Sequence, residues 1–253
     1  MFWYDGSRID GSQLQLDINE PGLCYGATSF TTMRVYDRSL SHPLTQWQQH
    51  CDRLKISLGA FGWQQPNWKL LKQGAQTLLE HFPVLRITVF PNGKEWITGR
   101  SLPADLKQRQ TLGITAWLAA DTLYRRDLPA YKTGNYLSAY LARDRALKLN
   151  AKEAILIDAD GNWLETSTGN LWGWKDNCWY TPDLNSGILP GIARSRWLDF
   201  FRDRDLKVVE NTWTPQFVLT IKALAYSNCV VDFVPITTLL TTGNKIDYSL
   251  ERP

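Results

Sequence analysis

The chain has 253 residues, 43% of them hydrophobic and 21% charged, enough apolar material for one large domain or two modest ones. Twenty-eight Lys and Arg stand against 25 Asp and Glu, a net charge of +3 with no run of five like charges, which argues against a nucleic-acid binder. No apolar stretch approaches the roughly 20 residues of a membrane span, and the opening MFWYDGSRID lacks the basic start and apolar run of a secretory leader, so a cytoplasmic location is expected.

In chain order, Gln13–Asp17 alternates polar and apolar residues and predicts a half-buried strand. Ser29–Val35, rich in Thr, Phe and Val, predicts another. Leu44, Trp47, Cys51, Leu54 and Leu58 step by three and four, the spacing of an amphipathic helix that Gly59 should end. Trp68, Leu71, Ala75, Leu78 and Phe82 predict a second helix. Val84–Phe90 and Glu95–Thr98 flank Pro91-Asn92-Gly93 and predict a hairpin. Residues 101–107, with Pro103 and little apolar material, read as a linker between a small N-terminal α/β domain, 1–100, and a larger one, 108–253. Strand signals dominate the second part: Leu112–Leu118, Ala154–Asp158, Trp163–Glu165, Leu171–Trp174, Cys178–Thr181 and Lys207–Glu210. Helices are predicted over Tyr136–Leu149 and Ile192–Asp203, giving an α/β or α+β architecture. The four cysteines (24, 51, 178 and 229) lack metal-ligand spacing and read as reduced, mostly buried thiols. His42, His50 and His81 are scattered and suggest no metal cluster. The twelve tryptophans suit core and interface packing.

Three segments carry chemistry. Tyr131-Lys132-Thr133-Gly134-Asn135-Tyr136 opens a helix after a loop holding Pro129; a lysine there is ordinarily a solvated charge. Glu165 closes a strand and is followed by Thr166-Ser167-Thr168-Gly169-Asn170, which suits a tight ligand loop or a plain polar hairpin. Ser186-Gly187-Ile188-Leu189-Pro190-Gly191 precedes the helix of Ile192 and Ala193. Free N–H groups at such a helix start hold phosphate, although a Pro-Gly helix entry needs no ligand.

In this order the segments resemble the fold-type IV (class IV aminotransferase) pyridoxal-phosphate enzymes. Two further stretches join them: Tyr25-Gly26-Ala27-Thr28-Ser29-Phe30-Thr31, like the family's Y-G-x-x-x-F-[ET] strand, and His50-Cys51-Asp52-Arg53-Leu54, like its H-x-x-R-L helix. The resemblance implies the two-domain, D-amino acid aminotransferase-like fold, a homodimer, and pyridoxal 5′-phosphate bound through a Schiff base to Lys132. It implies that Glu165 pairs with the pyridinium nitrogen, keeping the ring an electron sink. Arg53 corresponds to the phosphate-binding arginine, whose fork suits a dianion. Ile192 and Ala193 correspond to backbone donors to phosphate, Tyr136 to a tyrosine on the ring oxygen, and Asn228 to a further cofactor position. Tyr25 and Phe30 correspond to pocket-wall positions, and Arg34 is a candidate for a substrate carboxylate. Arg125 and Arg126 could also meet carboxylates, but solvated surface arginines are the simpler reading.

Within the family, Phe30-Thr31-Thr32 and Tyr226-Ser227-Asn228-Cys229 ahead of Pro235-Ile236 resemble 4-amino-4-deoxychorismate lyase more than branched-chain aminotransferase. Lys132-Thr133-Gly134-Asn135-Tyr136 is closer to the aminotransferases. The expected reaction is therefore conversion of 4-amino-4-deoxychorismate to 4-aminobenzoate and pyruvate, a step of folate biosynthesis. Transamination of branched-chain or D-amino acids is the alternative, and a non-catalytic relative of the fold the remote one.

Overall fold

In the computed structural model, which describes residues 1–250, the chain turns back after only four residues. Asp5 and Gly6 have φ of 46° and 78°, the positive values that a two-residue hairpin turn requires. They join β1 (Phe2–Tyr4) to β2 (Ser7–Ile9). The expected strand at Gln13–Asp17 is absent: Leu14 and Leu16 are only half-buried and no neighbouring strand pairs with them. Next come the short helix α1 (Pro21–Cys24), β3 (Ser29–Arg34), α2 (Trp47–Ala60), α3 (Trp68–Leu79) and the hairpin β4 (Val84–Val89) and β5 (Glu95–Arg100). Gly59 lies inside α2, whose cap is Phe61, so it does not end the helix.

These elements, Met1–Ala104 together with Tyr131–Asn135, make one compact unit. Its sheet runs β2-β1-β5-β4-β3 and is antiparallel throughout. Met33, Leu85, Ile87 and Ile97 share one sheet face and are fully buried with Leu54 and Leu58 of α2 and Leu71 and Leu78 of α3. Burying each such side chain contributes roughly 1.5–3 kcal/mol. The opposite face carries Phe30, Thr32 and Arg34, with Arg86 and Thr88 across the ladder.

Asp105–Ala130 and the chain from Tyr136 make the second unit. Its elements are α4 (Leu106–Leu112), β6 (Ile114–Ala119), α5 (Leu137–Lys148), β7 (Glu153–Ile157), β8 (Trp163–Thr166), β9 (Asn170–Lys175), β10 (Cys178–Pro182), α6 (Ile192–Arg202), β11 (Val208–Asn211), α7 (Pro215–Val218), β12 (Ala223–Asn228), β13 (Asp232–Leu240) and β14 (Lys245–Asp247). Helix α4 begins within the segment read as a linker. The sheet runs β11-β10-β9-β12-β13-β6-β7-β8, and β8 pairs again with β9, so the path closes on itself. Ala142 and Ala146 of α5 are fully buried in one cluster with Ala119, Ala151, Ala154 and Leu156; small side chains let the helix lie close. Trp172, Trp179, Phe201 and Ala225 form another core, ringed by Trp174, Trp197, Phe200 and Phe233.

The fold is thus α+β and strand-rich, as expected. Of the cysteines, Cys51 and Cys178 are buried, Cys229 is half-buried and Cys24 is exposed. Among the described residues no helix is long and apolar enough to cross a membrane.

Candidate active site

Lys132 is placed by backbone pairing. Edge strand β3 has free backbone groups on its outer side, and residues 131–135 cover them. Phe30 N donates to Lys132 O (2.8 Å), Gly134 N donates to Thr28 O (2.7 Å), and Ser29 bridges Thr133. Gly134 makes this approach possible, because a Cβ there would lie 2.3 Å from Thr28 Oγ1 and 2.7 Å from Gly26 O. The result sets Lys132 Nζ 4.8 Å from the centre of the Phe30 ring.

Arg86 lies over the same ring, its Cζ 3.7 Å from the centre, and Arg34 stacks on Tyr36 at 4.5 Å. An amine and two guanidiniums therefore accompany the buried Phe30 on one face of the first sheet. Tyr25 does not join them; its side chain is 80% exposed. Arg53 is half-buried on α2. Three residues earlier, His50 is 1% exposed and shares a 2.5 Å hydrogen bond between its Nδ1 and Thr31 Oγ1. Burial, then the charge of Arg53, then that of Lys132 hold this imidazole well below its usual pKa range. Arg53, Lys132 and Phe30 thus belong to one electrostatic neighbourhood of the first unit.

The second unit holds the carboxylate. Glu165 is the last residue but one of β8 and is 4% exposed. Its Oε1 accepts from Arg126, in an ion pair whose side chains are 10% and 5% exposed. Its Oε2 accepts from Leu189 N (3.2 Å) and Asn170 Nδ2 (3.4 Å). Arg126 was expected at the surface; burial beside Glu165 overturns that, whereas Arg125 is exposed. Tyr136, which caps α5, donates its hydroxyl to Ser167 O (2.5 Å), and Arg126 lies 5.8 Å from its ring centre.

Asn170 also donates to Leu189 O (2.9 Å), tying the carboxylate to the loop that starts α6. The N-cap of α6 is Gly191, with no side chain to bond the first N–H groups, and Ile192 and Ala193 follow it, buried. A Cβ at Gly191 would sit 1.9 Å from Asn170 Oδ1, so only glycine lets the amide lie there. Asn228 Oδ1 accepts from Val230 N (2.9 Å) and Val231 N (3.0 Å), and its Nδ2 donates to Thr168 Oγ1 (3.2 Å). Thr168 and Ser167 both donate at 2.6 Å to Glu153, a carboxyl that sequence reasoning passed over. Burial pushes Glu153 up, although those two hydroxyls and the charge of Arg143 pull the other way.

Within the first unit the structure thus gathers Lys132, Phe30 and Arg53, and within the second Glu165, Tyr136 and the start of α6. Arg86, Arg126 and Glu153 are the additions. The sequence offered no signal for Glu153, and for Arg126 only its position near Lys132.

A sequence model of the family described as amino-transferase class IV matches residues 28–239. The chain is 23% identical to aminodeoxychorismate lyase of Vibrio harveyi, over 99% of this chain and 95% of that one. It is 23% identical to branched-chain-amino-acid aminotransferase of Pseudomonas aeruginosa, over 97% and 86%. The crystal structure of branched-chain aminotransferase from Thermoproteus uzoniensis with norvaline superposes with a TM-score of 0.83 at 21% identity, covering 99% of this chain and 89% of that one.

Proposed function

Since the chain belongs to the class IV aminotransferase family of pyridoxal-phosphate enzymes, we propose that it is a lyase converting 4-amino-4-deoxychorismate to 4-aminobenzoate and pyruvate. The residues present fit the cofactor. Lys132 offers an amine to its aldehyde. Arg53 and the uncapped start of α6 offer charge and N–H groups to its phosphate. Glu165 offers a buried carboxylate to its ring nitrogen. Nε2 of His50, buried and without a hydrogen-bond partner among the described residues, is a spare polar atom in the field of Arg53 and Lys132.

When bound, the cofactor supplies an electron-withdrawing ring that takes up charge from the substrate carbon bearing the amine. In this reading Lys132 Nζ is its covalent anchor. As a free amine, Nζ would take the proton from the substrate carbon bearing the amine and return one to the methylene of the departing enolpyruvyl group, which would leave as pyruvate. Glu165, held by Arg126, Leu189 N and Asn170, would supply the negative charge for the ring nitrogen. Arg53 and the N–H groups of Ile192 and Ala193 would hold phosphate and Tyr136 would meet the ring oxygen, while Asn228 bonds Thr168 and fixes its loop. Phe30 and Arg34 face substrate, and Tyr25 does so where copies associate as a homodimer.

The observation that carries the lyase reading is the pair of guanidiniums, Arg34 and Arg86, on the sheet face of Lys132 and Phe30. Two cations suit a substrate with two carboxylates and would be costly beside a branched aliphatic side chain; the 2-oxoglutarate of a transamination carries two as well, so the product decides between the readings. The fold match to the Thermoproteus enzyme favours the second reading, transamination. Purified protein is offered 4-amino-4-deoxychorismate and, separately, leucine, valine or D-alanine with 2-oxoglutarate. Equal amounts of 4-aminobenzoate and pyruvate are expected; keto-acid formation with no 4-aminobenzoate overturns the reading. Lys132→Ala is expected to abolish both the visible cofactor band and its borohydride-stable attachment to the chain.

A further inference from the structure

We propose that His50 donates a hydrogen bond, through Nε2–H, to the anionic group that Arg53 holds, and so forms part of the phosphate site. The inference rests on the reading of Arg53 as the phosphate's arginine. His50 and Arg53 stand three apart on α2, the spacing that puts side chains on neighbouring positions of one helix face.

The tautomer follows from counting partners. Thr31 is 0% exposed, and its hydroxyl has one bond, to His50 Nδ1 at 2.5 Å. If the ring donated from Nδ1, the Thr31 proton would be stranded and Nε2 would be an unpartnered acceptor as well. If Thr31 donates, Nδ1 is satisfied and one group remains, an N–H on Nε2. That atom is buried and without a partner among the described residues. Native chains seldom leave such a donor orphaned. Ser29, two residues earlier on the same face of β3, adds a second buried oxygen without a partner, and Ser29 bridges Thr133, the neighbour of Lys132.

The surroundings define the missing partner. Both charged groups acting on the ring, Arg53 and Lys132, are cationic, and the ring itself stays neutral. A neutral N–H beside two cations calls for an acceptor with negative charge. A phosphate monoester, with three strongly accepting oxygens, matches.

The test uses the fact that an Asn amide nitrogen or oxygen falls near Nδ1 of a histidine, and a Gln amide falls near Nε2. Cofactor-free wild type, His50→Gln, His50→Asn and His50→Ala are titrated with pyridoxal phosphate, and with pyridoxal as the phosphate-free probe. Binding is read from quenching of tryptophan emission, and thermal melting confirms that each variant folds. His50→Gln is expected to bind pyridoxal phosphate within about 3-fold of wild type, whereas Asn and Ala lose about 10- to 100-fold, the worth of one bond to a charged group. Pyridoxal is expected to bind all four alike. Retained affinity in Asn with loss in Gln, no loss in any variant, or equal losses for pyridoxal would overturn the proposal.

Wild type labelled with nitrogen-15 histidine supplies a check free of substitution. The Nε2–H form is expected, with its proton moving downfield as pyridoxal phosphate is added; an Nδ1–H form or an unmoved signal refutes it. A wild type that takes up no pyridoxal phosphate sinks the functional reading itself, whereas failure of the variant pattern in a protein that binds it sinks only the role of His50.

Discussion

Arg126→Met separates a buried ion pair from a surface charge. Arg126 and Glu165 are 10% and 5% exposed, so removing the guanidinium leaves a carboxylate shielded from water. Breaking such a pair costs about 3–5 kcal/mol. Leu189 N and Asn170 Nδ2 still reach Oε2, at 3.2 and 3.4 Å, but both bonds are long and offset about 1 kcal/mol at most. The expected loss is therefore roughly 2–4 kcal/mol in the cofactor-free protein. Glu165→Gln removes the charge and keeps an acceptor for those two donors. Adding Arg126→Met to Glu165→Gln should then cost less than about 1 kcal/mol, giving a coupling of about 2 kcal/mol in the double-mutant cycle. Urea unfolding followed by far-ultraviolet circular dichroism measures all four proteins. Added salt should leave the coupling standing, since buried pairs are weakly screened. Losses that add to within about 0.5 kcal/mol would mean that Arg126 is solvated and that the geometry drawn for Glu165 is wrong.

Three other outcomes are expected. Glu153, raised by burial, binds its proton in the folded state at pH values where the unfolded chain has released it; stability should fall as pH rises from roughly 4.3. Glu153→Gln, which can still meet Ser167 and Thr168, should flatten that slope in melting curves between pH 4 and 7. Gly191→Ala puts a Cβ 1.9 Å from Asn170 Oδ1 and should cost about 2 kcal/mol or more in a thermal melt, with less lost in an Asn170→Ser background. Arg86→Leu should raise KM for 4-amino-4-deoxychorismate by about 10- to 100-fold, the worth of one charge-assisted bond, while the cofactor's visible band is retained. An unchanged KM would remove Arg86 from the substrate side.

What could be read from the sequence follows the range of the forces involved. Helices α2 and α3 announced themselves because their cores are made by residues three and four apart, as in Leu54 and Leu58 or Leu71, Ala75 and Leu78. Alternation at Gln13–Asp17 misled because period two signals a strand only where a neighbouring strand exists, and Leu14 and Leu16 have none. The first hairpin was overlooked although Asp5-Gly6, a strong turn pair, marks it. Strand β12 carries the Tyr226–Asn228 motif and β13 carries Pro235-Ile236; resemblance singled both out while their antiparallel pairing went unread.

The candidate site shows the same division more sharply. Lys132 owes its position to main-chain bonds from Phe30 N and to Thr28 O, made across more than a hundred residues, and a backbone carries no sequence signature. Only motif resemblance could single it out. Arg125 and Arg126 make the point at the finest scale. They are neighbours of one residue type, yet one is exposed and the other is buried against Glu165, 39 residues on. Nothing local distinguishes them; the difference lies in which backbone direction meets a carboxylate after folding. Arginine takes up either environment readily, since its aliphatic stem packs and its guanidinium always keeps its charge. A charged residue in a loop therefore becomes part of a site through its partner, and the partner is chosen by the fold.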